Sequence, residues 1–139
     1  MRPVALVTGG AIRVGKAISK GLAAAGYDVV INYSSSEAAA LDLARELDAE
    51  VAPCGYAWQR AMKERPKVEF YSRDREHQSW HGTILNLYVI YSTIYGESPE
   101  ALKFTPPEKS EITAEEDTWL RRVAWESVQS WQQQMKEGS

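Results

Sequence analysis

The feature that most constrains this fold is a short apolar segment that runs through two glycines into a helix. Residues 4–7 are typical of a strand covered on both faces, Gly9 and Gly10 interrupt the apolar run, and residues 16–25 are rich in alanine. A turn of this kind points backbone N–H groups and the positive end of a helix at one place. The segment is therefore predicted to be a strand–turn–helix unit that holds a phosphate group.

The first third of the chain continues to alternate between strand and helix signals. Ile18 and Leu22, four residues apart, predict that the first helix buries one stripe. Gly26 stands where a helix-terminating glycine is expected. Residues 28–33 predict a second strand, and residues 34–37 offer a capping box for a second helix. This β-α-β-α order requires right-handed crossovers and therefore parallel strands.

The composition changes near residue 50, but the alternation continues. Residues 50–53 and 68–71 predict two more strands, with a helix over residues 56–64 between them. The β-branched residues within 82–95 leave a strand possible, but the length of this segment favours a buried helix. A second capping box at residues 113–116 opens an amphipathic last helix. We expect a single α/β domain over the whole chain: a small doubly wound, mainly parallel four-stranded sheet of the Rossmann or flavodoxin type, flanked by helices.

Charge, cysteine content and hydropathy exclude several classes of function. The 139-residue chain carries a formal net charge of −3, which argues against a broad basic face for nucleic acid. Its single cysteine, Cys54, rules out an internal disulfide and a multi-cysteine zinc site, and no metal site is predicted. Cys54 itself is expected to be a small buried residue. No run approaches the roughly 18 apolar residues of a membrane span. We expect a cytoplasmic protein with neither a nucleic-acid nor a membrane partner.

The segment Thr8-Gly-Gly-Ala-Ile-Arg-Val-Gly15 resembles the cofactor turn of the short-chain dehydrogenase/reductases, and the likeness fades near residue 50. The arginine that replaces the middle glycine of the family pattern is similar to that of the pteridine-reductase-like members, which use NADPH. The resemblance implies a dinucleotide-binding site with these residues: Thr8, Gly9, Arg13, Gly15, Asn32 and Ser34.

The charges around this turn favour NADP(H) over NAD(H). Arg13 places a fixed positive charge near the ribose end of a bound dinucleotide, and residues 32–34 include no carboxylate that would repel a 2′-phosphate. Because half a dinucleotide fold makes half the contacts, binding is expected to be weak. The alternative is that the glycines only permit a tight turn. A phosphate-loop spacing over residues 10–16 is also present, but Ala17 stands where a Mg²⁺-binding hydroxyl is needed, which argues against nucleotide hydrolysis.

Reductase chemistry requires residues that this chain does not have. The resemblance calls for a tyrosine that transfers a proton and a lysine four residues later, and none of the seven tyrosines is followed by lysine at that spacing. The Asn-Asn-Ala-Gly segment of the family is also absent. The chain is therefore predicted to be catalytically incomplete as a reductase.

Residues 51–139 resemble the C-terminal part of the SGNH, or GDSL-type, hydrolases, through Asp74-Arg-Glu-His77 and Tyr95-Gly-Glu-Ser-Pro99 among other segments. In that family an Asp-x-x-His pair supplies the acid and base of a serine triad, which implies those roles for Asp74 and His77. No serine follows the first predicted strand, where the family has its nucleophile. The pair is therefore expected to be a remnant, and a simple surface contact is the alternative. His81 is expected to be a surface or capping histidine.

The two resemblances meet near residue 50, so the chain is predicted to be a chimera of a reductase-like half (residues 1–50) and a hydrolase-like half (residues 51–139). The first functional hypothesis is a Rossmann-like protein that binds NADP(H) weakly. The alternatives are ester hydrolysis through Asp74 and His77, and a structural scaffold without activity. Self-association is expected through exposed aromatic surface contributed by the tryptophans, which are Trp58, Trp80, Trp119, Trp125 and Trp131.

Overall fold

The computed structural model describes residues 1–33 and 35–138. The chain divides into two compact units, Met1–Gly55 (unit 1) and Tyr56–Ser139 (unit 2). The division lies close to the change in composition near residue 50. In the described residues, no helix combines the length and the apolar character that crossing a bilayer requires.

Unit 1 contains a parallel sheet, and the fold class is α/β as predicted. β1 (Val4–Thr8) pairs with β2 (Asp28–Asn32), and β2 pairs with β3 (Glu50–Ala52), so the strand order follows the chain. All pairs are parallel. Residues 29–31 of β2 are consecutive and all buried, which shows that the central strand is covered on both faces.

Two helices connect these strands. α1 (Arg13–Ala24) and α2 (Glu37–Leu47) contact each other as well as the sheet, so they lie on the same face. α1 ends at Gly26 as predicted: φ is +90° there, the Gly26 N–H donates to the Ala23 carbonyl, and the next N–H donates to the Leu22 carbonyl. This is the hydrogen-bond pattern that closes a helix at a left-handed glycine.

Two predictions about the helices of unit 1 are wrong. Ile18 is 49% exposed, and the neighbouring Ser19 is fully buried in its place. Ser19 tolerates burial because its hydroxyl donates to the Gly10 carbonyl at 3.0 Å. The capping box expected at residues 34–37 requires Glu37 to be the third residue of the helix, but α2 begins at Glu37, and Ser36 precedes it without a side-chain cap. Ser34 lies outside the described residues.

Unit 2 is helical in its described part. α3 (Cys54–Glu64) starts at the end of unit 1 and continues into unit 2, followed by α4 (Trp80–Tyr95) and α5 (Ala114–Glu137). α4 and α5 pack against each other, and two short 3-10 turns, Pro99–Ala101 and Glu108–Ser110, lie between them in sequence. The predicted buried helix over residues 82–95 is confirmed. The predicted capping box is also confirmed, since Thr113 and Glu116 each accept the other's backbone N–H.

The fourth strand predicted over residues 68–71 does not form. The sheet has three strands in the described residues, and Tyr71 makes only an isolated antiparallel bridge to Gln78. Phe70 is buried at 2% exposure, with its ring 5.6 Å from that of Trp58 and 6.3 Å from that of Trp119. The apolar signal of this segment therefore reflects aromatic packing, which needs no strand pairing.

The tryptophans do not form the exposed aromatic surface that was expected. Trp58, Trp119 and Trp131 are buried, and each packs against an aromatic ring of unit 2. Trp80 is 37% exposed, with the Lys109 ammonium 5.2 Å from its ring centre. Most of the tryptophan surface therefore belongs to the core of unit 2.

Candidate functional site

The predicted cofactor residues of unit 1 meet where β1 ends and α1 begins. Thr8, the last residue of β1, lies in register with Asn32, the last residue of β2. The Gly10 N–H donates to the Asn32 carbonyl at 3.3 Å, so the turn starts directly beside the neighbouring strand. This place is the carboxyl edge of a parallel sheet, where α/β proteins bind their ligands.

The backbone folds back on itself between Gly9 and Gly15. Gly9 has φ of +62°, a left-handed conformation that glycine adopts at little cost. A Cβ atom added to Gly15 would lie 1.9 Å from the Gly9 carbonyl oxygen, so a side chain does not fit at this position. The buried Ser19 hydroxyl holds the turn from the helix side through Gly10. The sequence analysis did not identify Ser19. The feature that could have identified it is its position, a small polar residue four positions after Gly15 in the first helix.

Arg13 has a backbone conformation that is uncommon for a residue with a side chain. Its φ is +49°, in the left-handed region. A residue with a Cβ atom pays roughly 1–2 kcal/mol for this conformation. The side chain is exposed, so its charge is available at the mouth of the turn.

The N-terminus of α1 has an unusual charge pattern. Ile12 precedes the helix without a side-chain cap, and the first turn contains no acidic residue. The first four N–H groups of a helix have no intrahelical partner, and the helix dipole makes this end positive. Arg13 and Lys16 add two further positive charges. An anion is therefore the ligand that would stabilise this end.

The side chain of Asn32 is hydrogen-bonded to Cys54, the first residue of α3. Its side-chain amide donates to the Cys54 sulfur at 3.2 Å. Cys54 is 4% exposed, which confirms the expected buried residue, and burial raises the pKa of its thiol to about 12. Thr8, Gly9, Arg13, Gly15 and Asn32 are thus assembled at one edge of unit 1, whereas Ser34 lies outside the described residues.

The Asp74 and His77 side chains in unit 2 form the pair that the sequence suggests. His77 Nδ1 lies 2.7 Å from one Asp74 carboxylate oxygen, and the other accepts the backbone N–H groups of His77 and Glu76, both at 3.0 Å. These backbone hydrogen bonds, followed by the His77 side chain, lower the pKa of the Asp74 carboxyl to about 2. The ionised carboxylate can orient the ring and leave Nε2 as a proton acceptor. His77 is exposed, and in the described residues its ring is hydrogen-bonded only to Asp74.

An open cleft of about 1050 Å³ lies next to this pair in unit 2. The described residues that line it include Asp74 but not His77. Its walls combine aromatic and acidic side chains, among them Tyr71, Trp80 and Glu116. The His77 ring therefore faces solvent beside the cleft, so a bound substrate inside it would not be held against Nε2.

His81 is neither a surface histidine nor a helix cap. Its side chain is 21% exposed, and its Nε2 lies 3.2 Å from a Glu116 carboxylate oxygen without hydrogen-bond alignment. Ser79 caps α4 instead, by accepting the Gly82 N–H at 3.2 Å. His81 also lines the cleft. Sequence reasoning could not find this proximity, because Glu116 lies in a distant helix.

Over residues 1–33 and 35–138, no group of three or more His, Cys, Asp or Glu side chains is placed to hold a metal ion.

Comparison of the chain with protein-family models, with curated proteins and with solved structures finds no match.

Proposed function

We propose that unit 1 is a Rossmann-like module that binds NADP(H) weakly and does not transfer hydride. The observation that carries the proposal is the uncapped and basic N-terminus of α1, placed by the Gly9–Gly15 contact at the carboxyl edge of parallel strands. Such an end favours a phosphate through its free N–H groups, its dipole and the Arg13 charge. The missing catalytic tyrosine–lysine spacing supports binding without reduction.

Arg13 is the residue proposed to distinguish NADPH from NADH. An exposed charge pair contributes up to about 1 kcal/mol, so the expected preference for NADPH is about fivefold. All five tryptophans lie in unit 2. Binding is therefore followed best by calorimetry and by the fluorescence of NADPH itself, at low salt, with NADH as the paired ligand.

Two substitutions of Arg13 separate its charge from its backbone conformation. Arg13→Glu is expected to abolish the preference for NADPH. Arg13→Gly removes the charge but suits the left-handed φ, so it is expected to lose the preference while α1 stays at least as stable. Arg45→Glu, an exposed charge reversal in α2, is the matched control and should bind as the unaltered chain does. Equal affinity of the unaltered chain for NADH and NADPH would contradict the 2′-phosphate interaction, and no binding at all would reject the proposal.

A second candidate function, ester hydrolysis, is favoured by the 2.7 Å contact between His77 and Asp74. In this proposal His77 Nε2 takes a proton from a water molecule whose oxygen attacks the carbonyl carbon of a small activated ester, while the Asp74 carboxylate stabilises the resulting imidazolium. The tetrahedral intermediate then breaks its ester C–O bond and releases the alcohol or phenol, which takes up the proton from the imidazolium and leaves the carboxylic acid as the other product. Hydrolysis of p-nitrophenyl acetate should fall to the background rate in His77→Ala. His81→Ala is the matched control, since these are the two histidines of the chain. Activity that survives in His77→Ala would rule out this role.

The third hypothesis, a structural scaffold without activity, applies if the chain neither binds NADP(H) nor hydrolyses the ester. It requires that the chain unfold cooperatively while showing neither nucleotide binding nor ester hydrolysis. A cooperative urea transition measured on the same preparation distinguishes this outcome from a chain that is simply unfolded.

A further inference from the structure

The open cleft of unit 2 has two aromatic rings on its walls that are held in place and exposed to solvent. Trp80 is 37% exposed and Tyr71 is 50% exposed. The Ser79 hydroxyl donates to the Glu69 carbonyl at 2.7 Å, and the Ser79 N–H donates to the Phe70 carbonyl at 2.9 Å. The start of α4, where Trp80 lies, is therefore tied to the segment that carries Tyr71. Exposed aromatic rings held on the walls of a cleft are suited to contact a ligand.

The Trp80 ring already contacts an ammonium group of the chain itself. Lys109 Nζ lies 5.2 Å from the centre of this ring, within the distance at which an aromatic ring attracts a cation. Among the residues that the structure describes, the Lys109 ammonium has no carboxylate partner. The next residue, Ser110, is buried, and its hydroxyl accepts the Ile112 N–H at 3.3 Å, which fixes the backbone beside Lys109. The ring thus has the exposure and the surroundings to accept an alkylammonium group.

The charged side chains around the cleft favour a cation over an anion. Four carboxylates and two cationic side chains line it, and they are Glu69, Asp74, Glu111, Glu116, Lys67 and Arg73. Asp74 and Glu116 accept hydrogen bonds within unit 2. In the described part of the chain, the Glu69 and Glu111 carboxylates have neither a hydrogen-bond nor an ion-pair partner. An excess of one sign of charge in a cleft attracts a ligand of the opposite sign.

We propose that the cleft of unit 2 binds a small organic cation that carries two alkylammonium groups. One ammonium lies against the Trp80 ring, and the other pairs with the carboxylates of Glu69 and Glu111. The Lys109 ammonium occupies the ring when the ligand is absent, so the two compete for Trp80. This site uses neither the nucleotide site proposed in unit 1 nor His77, so it can be tested independently of both.

The test is a titration of the full chain with hexamethylenediamine at low salt, followed by the NMR signals of the tryptophan indole N–H groups. The signal that is missing in Trp80→Phe identifies Trp80. It is expected to shift with a Kd of about 1 mM, because exposed cation–π contacts and ion pairs are individually weak. Hexamethylene glycol, which has hydroxyl groups in place of the two amines, is expected to cause no shift. No shift of the Trp80 signal with the diamine, or equal shifts with both compounds, would overturn the proposal.

Lys109→Gln tests the competition for the ring. It removes the ammonium from Trp80 and a like charge from beside the cleft, so the diamine is expected to bind about threefold to fivefold more tightly. Lys103→Gln is the matched control, because Lys103 is an exposed lysine of the same loop and is not among the described residues that line the cleft. Weaker binding to Lys109→Gln, or an equal gain in both variants, would contradict the competition.

Removing the two carboxylates keeps the proposal testable if Trp80→Phe fails to fold. Glu69→Gln combined with Glu111→Gln changes two exposed side chains and is expected to weaken diamine binding at least about fivefold. Glu76→Gln combined with Glu100→Gln is the matched control, since both residues are exposed and neither is among the described residues that line the cleft. Unchanged affinity in the first pair of substitutions, or an equal loss in both pairs, would overturn the proposal.

Discussion

Gly15 and Gly21 lie six residues apart in α1 and have opposite surroundings. A Cβ atom at Gly15 would collide with the backbone of the preceding turn, whereas a Cβ atom at Gly21 would meet nothing within 4 Å. At Gly15 the obstacle is a carbonyl group, which cannot rotate away as a flexible side chain can. The geometry of the proposed phosphate site therefore depends on the absence of one methyl group.

We predict that Gly15→Ala and Gly21→Ala change stability in opposite directions. Gly15→Ala should destabilise unit 1 by about 3 kcal/mol, because overpacking must displace the turn. Gly21→Ala should stabilise it by about 0.5–1 kcal/mol, because alanine loses less backbone entropy in a helix. Urea titration by circular dichroism, with hydrogen exchange of the β2 amides to assign the change to unit 1, measures both. Equal effects of the two substitutions would show that the Gly9–Gly15 contact does not exist in solution.

At the scale of elements, α5 shows how local sequence fixes where a long helix begins. Thr113 and Glu116 close a reciprocal capping box, and the first turn contains three acidic residues, Glu115, Glu116 and Asp117, which suit the positive end of the helix. The buried Arg121 then ties the helix to the preceding loop by donating to the carbonyls of Pro99 and Leu102. The helix start is thus set locally, and the loop before it is set by a tertiary contact.

We predict that Thr113→Ala lowers the stability of unit 2 by about 1 kcal/mol, because the Glu116 N–H loses its acceptor. Thr118→Ala is the matched control in the same helix. Thr118 is exposed, and its hydroxyl donates to the Ala114 carbonyl one turn back, so alanine should be neutral or stabilising by up to about 0.5 kcal/mol. Thermal unfolding followed by tryptophan fluorescence reports on unit 2, which contains all five tryptophans. A smaller loss in Thr113→Ala than in Thr118→Ala would contradict the cap.

At the scale of the whole molecule, carboxylates with lowered pKa values are distributed over both units. Hydrogen bonding to Arg122 is the largest cause that lowers the pKa of Glu64, the Thr113 N–H does the same for Glu116, and hydrogen bonding to Lys20 does so for Glu46. The Asp74 pKa is lowered to about 2. The folded state therefore stabilises the ionised form of each of these carboxylates.

We therefore predict that the chain loses stability on acidification. A group whose pKa is lower when folded contributes its stability above the unfolded value and loses it as the pH falls. Stability should be constant from neutral pH down to about 5 and should decrease below the ordinary glutamate value of 4.5, with the last loss near the Asp74 value of about 2. Thermal melts at several pH values measure this. Glu64→Gln should be less stable at pH 7 and show a shallower acid decrease, and an unchanged slope in that variant would contradict the assignment of Glu64.

Short sequence patterns correctly predicted the elements that are stabilised by interactions between residues close together in the chain. The strand–turn–helix of unit 1, the closing glycine at Gly26, the α4 helix and the Thr113 capping box were all predicted correctly. The contact between Asp74 and His77 was also accessible, because both residues lie in one short loop. The absence of the fourth strand could not be predicted, because the apolar residues near Phe70 are as typical of a strand as of an irregular segment that packs into a core.

The sequence by itself determined the α/β class, the parallel order of the first strands and the positions of the glycines, because these depend on periodicity and on backbone sterics between neighbouring residues. Only the tertiary structure decided which side of α1 is buried, because the Ser19 hydroxyl found an acceptor in a turn nine residues away and left Ile18 outside. It also decided that β1 ends the sheet and that His81 lies against Glu116. Those outcomes depend on which distant surfaces meet, and burial and hydrogen-bond partners across such distances are not encoded in any local pattern.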